Sequence, residues 1–225
     1  MAPTVYPDET FETLGPLGFV QKKKGHRLTV DAVLLADFLL PLGESDHVID
    51  IGTGSGAIPL ILAWKTGISR IEGIEVDDEA ASIAQRNVDA NNLSSRITIV
   101  KKDFRDLPAM FAEGAFSVVV SNPPYVKAGS GRISPLRERA AARAEVTGNL
   151  KDLIQVSGYL AGESGKIFYV FPVHRLFELI GELGNIGLRA RRIKFIHTRP
   201  GKPARFFLIE AGRKGELKIE ESVFL

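Results

Sequence analysis

Short apolar runs alternate with helical stretches from residue 47 to residue 183, and that alternation admits few folds. His47–Ile51, Ile71–Val76, Ile97–Lys101, Phe116–Ser121 and Lys166–Phe171 read as strands. Ala57–Lys65, Asp78–Asn91, Leu150–Ala161 and Val173–Leu183 read as helices. Pro59 falls in the first turn of its helix, where its missing N–H breaks no bond. Asp77 or Asp78 can cap the next helix by accepting one of its orphan N–H groups. Strands joined through helices pair in parallel, with helices on both faces of the sheet. Two further strands, Arg191–His197 and Arg205–Ala211, are joined only by Thr198-Arg-Pro-Gly-Lys-Pro-Ala204. So short a link cannot make a parallel crossover, so this pair is expected to be antiparallel. The expected architecture is α/β and doubly wound: a mostly parallel, seven-stranded sheet with an antiparallel last pair. Residues 1–46 read as a small basic N-terminal cap, a turn followed by a helix over about Thr29–Leu40, integral to a domain at 47–225.

Composition narrows the chemistry. With 44% apolar and 25% charged residues, the 225-residue chain has the balance of a globular protein. There is no cysteine, which excludes disulfides, thiolate nucleophiles and cysteine-ligated zinc. His26, His47, His174 and His197 are scattered without metal-ligand spacing, so no metal is expected. A net charge of +2 leaves any nucleic-acid contact to local patches. The N-terminus has no signal pattern and no apolar run has the length of a membrane span, so a cytoplasmic protein is expected.

The first strand leads into a glycine turn, Val48-Ile-Asp-Ile-Gly-Thr-Gly-Ser-Gly-Ala-Ile58. Gly52, Gly54 and Gly56 let the backbone turn sharply and approach a ligand, and Thr53 lies among them. Glu75 closes the second strand, where a carboxylate can bind both hydroxyls of a ribose. Alone, Gly52-x-Gly54-x-x-Ala57 also fits a relaxed dinucleotide fingerprint. Three features favour S-adenosylmethionine. Asp50 can orient the ligand's ammonium end. Asp103 and Phe104, after the third strand, bring a carboxylate to an adenine amino group and an aromatic to its ring. Asn122-Pro123-Pro124-Tyr125 then follows the fourth strand, and a dehydrogenase needs none of these in that order.

Two prolines after Asn122 make a rigid, non-helical turn, because each fixes its own φ and restricts the residue before it. Such a turn can aim the Asn122 side-chain oxygen and the Pro123 carbonyl at one small target. Two acceptors and an aromatic face, Tyr125, suit a planar group bearing an NH2: a nucleobase or a carboxamide. Ala128–Pro135 (Ala-Gly-Ser-Gly-Arg-Ile-Ser-Pro) reads as a loop directly beyond it.

With these motifs in this order, the chain resembles class I S-adenosylmethionine-dependent methyltransferases, within the amino-methylating branch that carries Asn-Pro-Pro-Tyr. It is most similar to the bacterial tRNA1(Val) adenine-37 N6-methyltransferases. Leu28-Thr-Val-Asp-Ala-Val-Leu-Leu-Ala36, Arg139–Glu145 and Arg199-Pro-Gly-Lys-Pro-Ala-Arg205 match that family's flanking segments. Ala144 stands where the family pattern carries a histidine.

The resemblance implies a Rossmann-like methyltransferase sheet, with S-adenosylmethionine as cofactor and S-adenosylhomocysteine as product. Cofactor contacts are expected at Asp50, Gly52, Thr53, Gly54, Gly56, Glu75, Asp103, Phe104 and Asn122, and catalytic roles at Asn122, Pro123 and Tyr125. The expected partner is RNA, tRNA first. Lys22, Lys23, Lys24, Arg27, Arg137, Arg139, Arg143 and Arg199 are candidates for its phosphates. The expected reaction is N6-methylation of adenine; the alternatives are N-methylation of an rRNA base and N5-methylation of a protein glutamine.

Overall fold

A computed structural model describes residues 3–24, 27–123 and 150–225. Pro124, Tyr125, the loop at 128–135, Arg137, Arg139, Arg143 and Ala144 lie outside these residues. The chain forms two compact units, residues 1–104 and 105–225.

The first unit begins with an antiparallel hairpin, β1 (Glu9–Leu14) and β2 (Leu17–Lys22), closed at Gly15-Pro16. Helix α1 (Val30–Phe38) follows. Then come β3 (His47–Ile51), α2 (Ala57–Lys65), β4 (Arg70–Glu75), α3 (Asp78–Ala90) and β5 (Ile97–Lys101). Strand β4 pairs in parallel with both β3 and β5, as the helical connections require.

Local chemistry sets the ends of the helices. The Asp77 carboxylate caps α3, accepting from the N–H groups of Glu79 (3.1 Å) and Ala80 (3.0 Å), a device worth about 1 kcal/mol. Beyond the C-terminus of α2, Arg96 donates to the carbonyls of Ala63, Thr66 and Ile68 at 2.7–2.8 Å. Those oxygens have no partner within the helix, so a cation suits them.

A 3-10 turn at Phe104–Ala109 begins on the last residue of the first unit and leads to β6 (Val118–Ser121) of the second, buried at all four positions. Helix α4 (Leu150–Ala161), β7 (Lys166–Pro172), α5 (Leu176–Asn185), β8 (Arg189–His197), β9 (Ala204–Gly212) and β10 (Lys218–Phe224) complete the second unit. Strand β9 runs antiparallel to both β7 and β8. Within the first unit the strand order is β3-β4-β5, and within the second it is β10-β8-β9-β7-β6.

The fold class is as expected, α/β with a mostly parallel sheet and an antiparallel last pair at β8 and β9, and three details differ. Among the described residues the parallel and antiparallel strands after the hairpin number eight rather than seven, because β10 adds to β8 in parallel at the edge. Its sequence, Lys-Ile-Glu-Glu-Ser-Val-Phe, interrupts the apolar alternation with two glutamates. One of them, Glu220, is consumed by ion pairs to Arg192 and Lys194. Secondly, a hairpin closed at Gly15-Pro16 precedes the basic turn of the N-terminal cap and takes in its first residues, Gln21 and Lys22. Thirdly, α5 begins at Leu176, after a 3-10 turn at Val173–Arg175, rather than at Val173.

Candidate active site

Strand β3 ends in the glycine turn. The N–H groups of Gly52 and Thr53 both donate to the Ile74 carbonyl at 2.9 Å, tying the turn to the end of β4. Gly52, Gly54 and Gly56 have φ of 76°, 58° and 84°, a region where an L side chain is strained. A Cβ at Gly52 or Gly54 would meet nothing within 4 Å, so the turn faces open space. Gly56 packs the start of α2 against Ala84 of α3.

Glu75 latches the turn from β4. Its Oε2 accepts from the Gly54 N–H and its Oε1 from the Asp77 N–H, both at 2.9 Å. Each carboxylate oxygen has a second lone pair, so the latch leaves acceptor capacity for two hydroxyls.

Beneath the turn lies Asp50, 1% exposed, with no hydrogen-bond partner of ordinary geometry at either oxygen. The Thr53 hydroxyl beside it is also buried and has no partner of ordinary geometry, though it lies near enough to the Asp50 carboxyl to act on it. Burial pushes the Asp50 carboxyl up to about 7; the Thr53 hydroxyl pulls it down, and the negative Glu75 pushes it up. Buried polar atoms normally have partners, so two orphans under an open cradle mark where a donor-bearing, cationic ligand group belongs. Gly73 pairs in register with Asp50, and a Cβ there would come within 2.9 Å of the Ile99 Cδ1 and 3.0 Å of the Thr53 Cγ2, so a larger residue would displace side chains beside the cradle. The composition of this cradle fits the ammonium and ribose of S-adenosylmethionine.

Asp103 and Phe104 are half-buried just beyond β5, whose end is joined to β4 by the Lys102 N–H donating to the Glu75 carbonyl at 3.0 Å. In the second unit, Asn122 and Pro123 are half-buried immediately after β6. The structure therefore brings Asp50, Gly52, Thr53, Gly54, Gly56 and Glu75 together at the ends of β3 and β4, and sets Asp103 and Phe104 after β5. Gly73, the Glu75 latch and Asn87 escape a reading of the sequence. A glycine inside a strand pattern and an Asn pair four residues apart on α3 were the available signals.

The basic candidates differ among themselves. Lys22 is held between Asp8 and Glu79, Lys23 donates to the Pro7 carbonyl at 2.7 Å, and Arg27 pairs with Glu12. Lys24 and Arg199 are exposed. Among the described residues no group of three or more His, Asp or Glu is arranged to hold a metal ion. No helix among them is long and apolar enough to cross a membrane.

Fold and cradle together define a methyltransferase. The chain matches the methyltransferase small domain family over residues 25–151, more than half its length, and belongs to that family. It is 34% identical over 203 residues to the tRNA1(Val) (adenine(37)-N6)-methyltransferase of Porphyromonas gingivalis (strain ATCC 33277), covering 88% of this chain and 78% of that protein. Among solved structures it is similar to a predicted O-methyltransferase of Agrobacterium tumefaciens, with a TM-score of 0.67, 24% identity and 86% of both chains covered. The geranyl diphosphate C-methyltransferase of Streptomyces coelicolor, solved with S-adenosyl-L-homocysteine, has a TM-score of 0.61 at 16% identity, covering 82% of this chain and 77% of that one. At these identities the two structures speak for the fold.

Proposed function

We propose that this protein transfers a methyl group from S-adenosylmethionine to N6 of an adenine in tRNA. The observation that carries the substrate is the kinship, along most of both chains, with the tRNA1(Val) (adenine(37)-N6)-methyltransferase of P. gingivalis. The unpartnered Asp50 carboxylate under the glycine cradle supports the cofactor.

When bound, S-adenosylmethionine supplies an electrophilic methyl on a cationic sulfonium. Asp50 and Thr53 would hold its ammonium end, Gly52, Gly54 and Gly56 would admit it to the backbone, and Glu75 would accept from its ribose. Asp103 and Phe104 would receive its adenine. An exocyclic aromatic amine is a weak nucleophile, since its lone pair is delocalised into the ring. The Asn122 side-chain oxygen and the Pro123 carbonyl would hold its two N–H bonds, favour pyramidal nitrogen and face the positive charge that develops there. Fixed dipoles of that kind are worth about 2.7–4 kcal/mol each, by analogy with an oxyanion-hole donor. Tyr125 would stack on the extruded base, about 1–3 kcal/mol. No strong general base is needed, because the proton can leave after attack.

Residues 1–46 serve as an integral cap. Lys24, Arg137, Arg139, Arg143 and Arg199 would meet phosphates, with Lys22, Lys23 and Arg27 contributing what their internal partners leave. Lys24→Glu should raise the tRNA KM and flatten its salt dependence while leaving cofactor affinity unchanged. Lys22→Glu should also loosen the hairpin, because it sets a negative charge between Asp8 and Glu79; thermal unfolding separates the two effects.

Asp50 gives the proposal a pH signature. A carboxyl raised in the folded state above its unfolded value of 3.8 binds more protons when native between the two values. The stability this group contributes to the apoprotein therefore falls as pH rises from about 4 to about 7, and stays lower above that. A bound cation needs the ionised form, so cofactor affinity should move the other way, rising with pH by up to about tenfold per unit until about pH 7. Asp50→Asn should flatten both curves, read by thermal unfolding and calorimetry.

The direct test of the proposal is incubation with labelled S-adenosylmethionine and, separately, tRNA, rRNA or a glutamine-bearing release factor. Label is expected in tRNA. Label in rRNA or in the protein would replace the proposal with one of its alternatives.

A further inference from the structure

One face of α3 carries the N-terminal hairpin. Glu79 pairs with Lys22, and Arg86 grips Glu9 through two nitrogens while its guanidinium lies 4.7 Å from the centre of the Tyr6 ring. Two asparagines on the same face act differently. Asn91 accepts from the Gly18 N–H at 3.0 Å and donates to the Gly18 carbonyl at 2.8 Å. One turn earlier, Asn87 accepts from the Val20 N–H and donates to the Val20 carbonyl, both at 2.8 Å. Each amide offers β2 the donor and acceptor that a neighbouring strand would offer, at alternate positions along its edge.

The second donor bond of Asn91 stays at the helix, on the Asn87 carbonyl at 2.7 Å, whereas that of Asn87 reaches the cradle. The Asn87 Nδ2 donates to the carbonyl of Ser55, at 2.9 Å, between Gly54 and Gly56. The residue is 0% exposed, so water does not replace a lost bond. One side chain thus fixes a cradle carbonyl and the second strand of the hairpin.

We infer that Asn87 is a positioning residue for the cofactor, coupling the shape of the glycine cradle to the docking of the N-terminal hairpin. The inference rests on the cradle being the S-adenosylmethionine site. Such coupling is reciprocal: a ligand that orders the cradle also tightens the hairpin.

Asn91 supplies the control. Asn87→Asp keeps an acceptor for the Val20 N–H but sets a carboxylate against the Val20 and Ser55 carbonyls. Asn91→Asp makes the same kind of change against the carbonyls of Gly18 and Asn87 and touches no cradle atom. Calorimetry at a temperature where both variants are folded should show the dissociation constant of S-adenosylhomocysteine rising about tenfold or more for Asn87→Asp, and staying within about twofold for Asn91→Asp. On the unmodified chain, saturating S-adenosylhomocysteine should slow amide hydrogen exchange at Val20 by about fivefold or more, although Val20 belongs to the hairpin. That measurement decides the matter even if Asn87→Asp does not fold. Equal losses of affinity in the two variants, or exchange at Val20 indifferent to ligand, would overturn the inference. An unmodified protein that bound no S-adenosylhomocysteine would instead refute the cofactor assignment on which it rests.

Discussion

Asn122→Ala should lose on the order of 100–1,000-fold in turnover, with cofactor affinity almost unchanged. The residue stands half-buried directly after the fully buried strand β6, where the strand fixes its position and Pro123 restricts its backbone. If its side-chain oxygen accepts from the target amine, its contribution grows as positive charge develops on nitrogen, which places the loss in turnover rather than in binding. Asn122→Asp sharpens the test. It keeps an acceptor at nearly the same place, so partial activity is expected. Its added charge should also favour the cationic cofactor over the neutral product. Single-turnover kinetics exclude slow product release as the cause. Near-normal turnover of the Ala variant would reduce Asn-Pro-Pro-Tyr to a structural turn.

The second large effect is expected at Glu75. Ribose recognition alone would make Glu75→Ala a loss of about tenfold. The structure adds a second term, because the same carboxylate holds the N–H groups of Gly54 and Asp77. Removing it frees the cradle as well as the ligand's hydroxyls, and bonds to an ionised acceptor are the stronger kind. Glu75→Ala should therefore weaken S-adenosylhomocysteine binding on the order of a hundredfold. Glu75→Gln keeps the shape and one good acceptor and should fall between the two, near tenfold. Calorimetry of the three proteins gives the comparison; unchanged affinity in the Ala variant would remove Glu75 from the site.

What could be read from the sequence follows physical lines. Strands β3 and β5 and helices α2 and α4 have the bounds that their apolar runs and flanking turn residues imply, because both signals act locally. Strand β10 escaped because its glutamate at 220 is satisfied by Arg192 and Lys194 on β8, a pairing across 26–28 residues that no local pattern records. The hairpin escaped for a similar reason: its outer edge is satisfied by the side chains of Asn87 and Asn91 rather than by another strand. At the cradle, residue types in order were legible, since glycines and strand-end carboxylates have few uses there. Their mutual bonds were not. Glu75 reads as a ligand contact, yet it also latches the turn, and Lys22 reads as a free cation, yet it is shared by Asp8 and Glu79. A sequence gives the type of a charge but not its partners.

The central claim, N6-methylation of a tRNA adenine dependent on Asn122, is tested most directly in cells. Bulk tRNA from a strain lacking this gene, and from the same strain carrying the wild-type or the Asn122→Ala gene, would be digested to nucleosides and measured by mass spectrometry. N6-methyladenosine should fall in the deletion strain, return with the wild-type gene and stay low with Asn122→Ala. Unchanged N6-methyladenosine in the deletion strain, or full recovery with Asn122→Ala, would contradict the account.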